Sequence, residues 1–255
     1  MIAISLQSGS NGNCTYVESD GTRLLFDAGL SGRKAQERLA AAGVDIRRVN
    51  GLVISHDHTD HIGCAAAYQR QYGLPVYMTH GTLRAAREKF ALDDLAAVKP
   101  FEAGESLKFD GVTVHTVPTP HDCEDGVGFV VEAENKRLGI LTDLGHVFGA
   151  LGEIVSTLDA ALIESNYDPR MLESGTYPEF LKARIRGSGG HLSNIETAEL
   201  IRAWASDRLS WVCLAHLSEH NNAPALALEA HRRVLGSTLR LLVAGRSAST
   251  GVLKV

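Results

Sequence analysis

The chain predicts an α/β fold, two stacked β-sheets flanked by helices, on three observations. Short apolar runs of strand length recur in both halves, bounded by Gly, Asn, Ser and Asp. Segments with helical spacing lie between them. No linker or low-complexity stretch divides the 255 residues, so one domain with a shared core is expected over residues 1–255.

In chain order, strands are expected at residues 2–6, 14–18 and 23–26, with the turn-rich Ser8-Gly9-Ser10-Asn11-Gly12-Asn13 between the first two. Residues 31–42 set Lys34, Ala35, Arg38, Leu39 and Ala42 at helical spacing, and Gly43 stops the helix. A short buried strand at 52–54 runs into Ser55-His56-Asp57-His58-Thr59-Asp60-His61, and a helix follows from 62 to 72. A strand at 75–78 precedes a helix at 82–90. Residues 105–117 read as a strand pair turning at Asp110-Gly111, and 127–132 pairs with 137–141 around Glu134-Asn135. The strand at 160–163 ends in Glu164. Between 169 and 190 some helix precedes the loop Gly187-Ser188-Gly189-Gly190; this short insertion is the segment available for substrate contacts. A helix at 194–205, with Asn194 as its N-cap, leads to a strand at 211–215 that ends in His216. A helix at 223–235 and a strand at 239–243 complete the order.

Composition bounds the function. A hydrophobic fraction of 44% and a charged fraction of 22% are ordinary for a soluble globular protein. The net charge of -5 excludes a broadly basic surface, so any polyanion must be met by a local patch. The four cysteines (Cys14, Cys64, Cys123 and Cys213) are far apart and form no C-x-x-C pair. That argues against a zinc ribbon or a disulfide framework and fits reduced thiols in a cytoplasmic protein. The first residues lack a basic stretch and turn polar by Gln7, unlike a signal peptide, and no apolar run reaches transmembrane length, so no membrane partner is expected.

The strongest chemical signal is His56-x-His58-x-Asp60-His61, between a buried strand and a helix. In extended backbone, residues 56, 58 and 60 point to one side, while His61, opening the helix, reaches a second point nearby. One short loop thus offers ligands to two metals. Three further candidates each terminate an apolar strand: His121 after residues 112–117, Asp143 after Gly139-Ile140-Leu141-Thr142, and His216 after Trp211-Val212-Cys213-Leu214-Ala215. Imidazole and carboxylate ligands without thiolate suit zinc or manganese.

The loop followed by His121, Asp143 and His216 in this order resembles the metallo-β-lactamase superfamily over nearly the whole chain. The resemblance implies an αββα sandwich of two mixed β-sheets flanked by helices. It implies two divalent metal ions per chain, one on His56, His58 and His121 and the other on Asp60, His61 and His216, with Asp143 bridging both. Asp27, in Leu24-Leu25-Phe26-Asp27-Ala28-Gly29, matches an aspartate that steadies the ligands from behind. Ser8-Gly-Ser-Asn-Gly-Asn-Cys14, Glu164-Ser165-Asn166, Gly190-His191-Leu192-Ser193-Asn194 and Ala215-His216-Leu217-Ser218 are similar to the YycJ/WalJ branch, itself similar to nuclease members such as tRNase Z. The β-lactamases of the superfamily commonly place Cys where Asp143 stands, which weakens an antibiotic-hydrolysing reading. No extra domain of the cleavage-factor kind lies between Asp143 and His216.

The expected function is a dinuclear metal-dependent hydrolase, a phosphodiesterase or exonuclease-like nuclease using a metal-bridging hydroxide on nucleic acid, DNA first. Four positive charges against three negative ones, from Asp60, Asp143 and hydroxide, leave one that suits a phosphoryl group. Asp60, Glu164 and His191 carry catalysis in this reading, His191 by resemblance being a proton donor paired with Glu164 rather than a ligand. Lys182, Arg184 and Arg186, with Arg170 upstream, form a basic cluster able to hold a nucleic-acid backbone. A thioesterase or lactonase is the alternative within the same chemistry. A non-catalytic, metal-stabilised binding protein is the alternative outside it.

Overall fold

The computed structural model describes residues 1–90, 95 and 98–255. Six strands open the chain: β1 (Ile2–Gln7), β2 (Cys14–Ser19), β3 (Thr22–Phe26), β4 (Gly51–Val53), β5 (Val76–Thr79) and β6 (Val98–Phe101). Seven follow in the second half: β7 (Ser106–Phe109), β8 (Val112–Pro118), β9 (Val127–Ala133), β10 (Lys136–Leu141), β11 (Ala160–Glu164), β12 (Trp211–Ala215) and β13 (Arg240–Val243). The last strand, β14 (Leu253–Lys254), returns to pair antiparallel with β1. Two seven-stranded sheets result, in the orders β14-β1-β2-β3-β4-β5-β6 and β13-β12-β11-β10-β9-β8-β7. Both are mixed: antiparallel through β1-β2-β3 and through β7-β8-β9-β10, parallel from β3 to β6 and from β10 to β13.

The period of two along each strand divides the apolar residues between layers. Leu24 and Phe26 of β3 enter a central core shared with Val127, Phe129 and Leu162 of the other sheet, whereas Leu25 between them faces outward. Phe26 and Phe129 meet across the sheets with ring centroids 5.0 Å apart. The outer face of the first sheet is covered by α1 (Gly32–Ala41), α3 (Ala65–Tyr72) and α4 (His80–Phe90), through Leu39, Tyr68 and Ala86. The outer face of the second is covered by α5 (Gly149–Ser156), α8 (Asn194–Trp204) and α9 (Pro224–Leu235), through Leu151, Ile201 and Ala227. The expected αββα sandwich is present. Three short helices, α2 (Thr59–Ile62), α6 (Pro169–Ser174) and α7 (Glu179–Arg186), lie outside these layers in sequence positions that flank the candidate ligands.

Some local expectations are corrected. The helix expected at 62–72 is two helices, because the peptide of Ala28 is stitched into the break: its N–H donates to the His61 carbonyl (2.6 Å) and its carbonyl accepts from Cys64 N–H (2.8 Å). Helical backbone therefore starts at Thr59, so period-two alternation applies to His56 and His58 but not to Asp60, which projects from the first turn of α2. The N-cap of α8 is Ser193, not Asn194: Ser193 forms a capping box with Glu196, while the buried Asn194 side chain bonds Ser165 and Asn222. Helix α5 escaped the sequence reading because it opens on Gly149 and carries Gly152, both poor helix formers. A Cβ at Gly152 would overlap the Trp204 ring of α8. Strands β6 and β14 lie at sheet edges, where apolar alternation is not required.

Three candidate site residues that follow strand ends, Asp27, Asp143 and His216, have left-handed backbone, with φ of 64°, 57° and 54°. This conformation is uncommon outside glycine and persists where the surrounding structure enforces it. Here it turns the chain sharply at the rim of each sheet.

The rim is tightly packed at Gly29. Its N–H donates to the Asn13 carbonyl (3.0 Å), Asn13 N–H donates to the Asp60 carbonyl (2.7 Å), and a Cβ on Gly29 would overlap that same carbonyl. Gly29→Ala is expected to push α2 outward, destabilise the protein by about 1–3 kcal/mol and loosen whatever Asp60 and His61 hold. Thermal melting and chelator competition check this; unchanged values for both would show that α2 is not anchored through this contact.

Candidate metal centre

The expected ligand residues converge at the rim where the ends of both sheets meet. Ring nitrogens of His56, His58 and His121 lie within 4.8 Å of one another, as do ligand atoms of Asp60, His61 and His216, and of His56, His61 and Asp143. Asp143 lies between the groups: Oδ2 is 3.2 Å from His61 Nε2, and Oδ1 is 3.5 Å from His216 Nε2 and 3.7 Å from His121 Nε2. Asp60 Oδ2 is 3.3 Å from His216 Nε2 and 3.4 Å from His61 Nε2.

Hydrogen bonds behind the rings decide which nitrogens face inward. Ser55 Oγ lies 3.0 Å from Asp27 Oδ2 and 2.9 Å from His56 Nδ1. A carboxylate only accepts, so the hydroxyl donates to Asp27 and His56 Nδ1–H donates to the hydroxyl. His61 Nδ1–H donates to Asp27 Oδ2 (2.8 Å). His121 Nδ1–H donates to the Gly190 carbonyl (3.0 Å), and His58 Nε2–H to the Asp122 carbonyl (3.2 Å). This leaves inward lone pairs on His56 Nε2, His61 Nε2, His121 Nε2 and His58 Nδ1, the last two only 3.3 Å apart. Buried His56 Nε2 and Asp143 Oδ2 have no hydrogen-bond partner. Acceptors converging on these two unpartnered atoms fit divalent cations.

The electrostatics agree. Burial, then the charge of His61, drives the His56 pKa well below the usual imidazole range. For His61 burial opposes charging, but Asp143, Asp27 and Asp60 outweigh it and raise the pKa well above that range. Asp143 and Asp60 are held well below ordinary carboxylate values despite their burial, Asp143 chiefly by His216 and His61 and Asp60 chiefly by His61. The pocket thus demands positive charge between His61 and the two aspartates.

Glu164 and His191 form a separate pair beside this cluster. Glu164 is fully buried, and its Oε1 lies 2.6 Å from His191 Nδ1. Its Oε2 accepts from Leu144 N–H (3.1 Å) and Leu192 N–H (3.2 Å). Burial disfavours the imidazolium, but Glu164 prevails and raises the His191 pKa to about 9. With Nδ1 taken, Nε2 is the nitrogen available to the cleft that His191 lines. Glu164, His191, Asp143 and His216 are also close enough to hold a cation together.

The cleft above the cluster, about 220 Å³, is bounded by His58, Asp60, Asp143, His191 and His216 on one side and by Tyr177, Leu181 and Arg184 on the other. The expected basic cluster is not a free patch. Lys182 is buried, with Nζ donating to the Glu173 carbonyl (2.7 Å) and pairing with Glu179 (3.1 Å). Arg186 pairs with Glu173, and Arg184 Nε donates to Asp122 Oδ2 (2.5 Å). Arg170 is exposed on α6 and does not line the cleft. Of the four, Arg184 alone reaches the cleft, because the short α6–α7 pair needs acidic partners to hold its two helices together.

Several supporting residues were not singled out individually by the sequence reading. Asn13 Nδ2 lies 3.1 Å from Asp60 Oδ2 and 2.9 Å from His61 Nε2. Ser8 Oγ accepts from His216 N–H (2.8 Å), and Asn166 Nδ2 donates to the His216 carbonyl (2.9 Å). Asp57, buried and turned away from its histidine neighbours, pairs with Lys89 and accepts from Glu124 N–H (3.1 Å), tying the His56–His58 loop to the segment after His121. Nothing in the spacing of these polar residues separates them from ordinary loop residues. Cys123 is half-buried and does not line the cleft; all four cysteines are free thiols.

Comparison with known proteins places these observations. A family model described as a beta-lactamase superfamily domain matches residues 22–212. Exodeoxyribonuclease YycJ of Bacillus anthracis is 33% identical over 230 residues, 90% of this chain and 87% of that protein. Exodeoxyribonuclease WalJ of Streptococcus pneumoniae is 34% identical over 224 residues, 87% of this chain and 83% of that protein. Among solved structures, the metallo-beta-lactamase fold protein YhfI from Bacillus subtilis superposes with a TM-score of 0.75 at 15% identity, covering 99% of this chain and 98% of that one.

Asp27 is the common anchor of His61 and, through Ser55, of His56; it also accepts from Ser55 N–H (2.8 Å). Asp27→Ala is expected to free both rings and weaken metal affinity by about 10–100-fold, with Asp27→Asn intermediate because it keeps one acceptor. Competition with a chromophoric chelator measures this. Wild-type affinity in the alanine variant would mean that the rings are held by packing alone.

Proposed function

The chain belongs to the beta-lactamase superfamily, and from that premise we propose that it is a metal-dependent phosphodiesterase acting on nucleic acid, DNA first, as an exonuclease. The observation that carries this reading is the Glu164–His191 pair, a held proton beside a cation-demanding cluster in one cleft. The names of the two similar exodeoxyribonucleases support it.

In this proposal His56, His58 and His121 would hold one ion and Asp60, His61 and His216 the other, with Asp143 available to both groups. Zinc or manganese, when bound, would lower the pKa of an attacking water and offset the charge that the phosphoryl group gains. The chain's own groups do the rest. Asp27 and Ser55 fix the tautomers of His56 and His61. Asn13 holds the Asp60 carboxylate, which faces the cleft and helps to orient the attacking water. His191, kept protonated by Glu164, offers Nε2–H to the departing oxygen. An alkoxide leaving group is poor and needs that proton; an activated ester or amide needs it less.

Elemental analysis of the loaded protein is expected to give two equivalents of metal, and Asp143→Ala to lose that stoichiometry together with most of the activity. His191→Ala is expected to keep both metals while turnover falls about 10²–10⁴-fold. The loss should shrink on a diester whose leaving group is a nitrophenolate. Glu164→Gln should behave alike, and the double variant should lose little more than either single one, because the two act as a unit. Assays on end-labelled single- and double-stranded DNA and RNA, with product ends mapped, test the substrate class. An equal loss for His191→Ala on both kinds of leaving group, with metals intact, would remove the acid role and point to carbonyl hydrolysis.

A further inference from the structure

Helix α7 presents the cleft with a surface unlike that of a phosphate-binding element. Tyr177, Leu181 and Ile185, spaced by four, line the cleft opposite the metal centre. Leu181 and Ile185 lie one turn apart on one face of α7, and Tyr177 stands two residues before the helix begins. Phe180, one turn before Arg184 and therefore on the adjoining strip, is 76% exposed, the highest value among the exposed large hydrophobic side chains of the described residues. The cations of the same helix are engaged: Lys182 with Glu173 and Glu179, Arg186 with Glu173, and Arg184 with Asp122. The opposite wall carries Asp60 and Asp143. Along α7 a ligand entering here meets the apolar Leu181 and Ile185 and one cation, Arg184, which is already paired with Asp122.

We propose that Tyr177, Phe180 and the cleft-facing strip of α7 form a stacking platform for an unpaired nucleobase next to the scissile phosphate. The proposal rests on the nucleic-acid reading above and deepens it to a strand end whose base is free. Three observations favour this occupant. Tyr177, Leu181 and Ile185 line the same cleft as the metal-ligand candidates, and the exposed Phe180 lies beside that strip on α7. A flat aromatic ring matches an apolar strip ending in an exposed phenyl ring, whereas a sugar–phosphate backbone would seek the cations that are already paired. A base buried in a duplex has no free face to offer, so the surface selects an unpaired end. Stacking on aromatic side chains tolerates every base, so recognition should not depend on sequence.

The test uses the metal-loaded protein and a short single-stranded DNA with phosphorothioate linkages, labelled for fluorescence anisotropy, against the same strand with abasic residues at both ends. The wild type should bind the intact strand about 5- to 150-fold more tightly, the range that aromatic–base stacking provides. A blunt duplex of the same sequence should bind like the abasic strand. Phe180→Ala and Tyr177→Ala should each reduce the preference for the intact strand, and the double variant should abolish it, while Tyr177→Phe retains it. Melting temperature and metal content verify that the variants remain folded and loaded. Equal affinity for intact and abasic strands in the wild type, or an undiminished preference in the double variant, overturns the proposal. Cleavage of the unmodified strand is scored separately. Base-dependent binding without cleavage would sustain the platform and remove the nuclease reading; cleavage without base dependence would do the reverse.

Discussion

The structure is organised around an electrostatic debt at the rim of the sandwich. His56, His61, His121, Asp143 and His216 are all buried with their ligand atoms close together, and His56 Nε2 and Asp143 Oδ2 have no hydrogen-bond partner. Burying charged and polar groups without partners is costly, and removing one member of such a set leaves the others worse off than before. Positive charge at the centre relieves it. Much of the surrounding hydrogen bonding serves to hold the outward nitrogens: Asp27 behind His61, Ser55 behind His56, and the Asp122 and Gly190 carbonyls behind His58 and His121. Each of these bonds removes a tautomer that would point a proton at the centre.

The sandwich meets this requirement through its parallel strands. Asp27 follows β3, Asp143 follows β10 two residues on, His216 follows β12 directly, and Glu164 is the last residue of β11. Because β3 belongs to one sheet and β10–β12 to the other, the cluster spans both, and the spacing of its halves is set by the apolar layer beneath, where Phe26 meets Phe129. Left-handed backbone at Asp27, Asp143 and His216 lets the chain turn away while the side chain stays at the rim. Strain at these three positions is sustained by a core that cannot relax around them.

The fold and the cluster were legible because each had a local signature. Apolar runs of strand length marked most strands, and a polar ligand at the end of such a run is conspicuous in any one sequence. What was not legible depends on contacts distant in sequence. The break between α2 and α3 is held by Ala28, more than thirty residues earlier, so local helical spacing alone read one helix there. Asn13, Ser8 and Asn166 look like loop residues until the rim assembles them around the ligands. The basic run at Lys182, Arg184 and Arg186 showed the opposite failure. Its local charge suggested a polyanion site, and its partners Glu173, Glu179 and Asp122 became visible only once α6, α7 and the segment after His121 were in place.

The glycine loop at 187–190 joins these themes. Three successive carbonyls point out of it as acceptors: Ser188 to His146 Nδ1 (2.7 Å), Gly189 to Asp122 N–H (3.0 Å) and Gly190 to His121 Nδ1 (3.0 Å). The next residue is His191, whose own N–H returns to the Ile185 carbonyl of α7 (2.9 Å). At Gly190 a Cβ would overlap the carbonyls of Arg184 and Ile185, so the chain must pass here without a side chain. The segment from Ile185 to His191 therefore connects the wall of the cleft, a ring of the metal cluster and the group paired with Glu164. The cleft-lining residues of α7 and the groups His121 and His191 are consequently joined by one hydrogen-bonded segment.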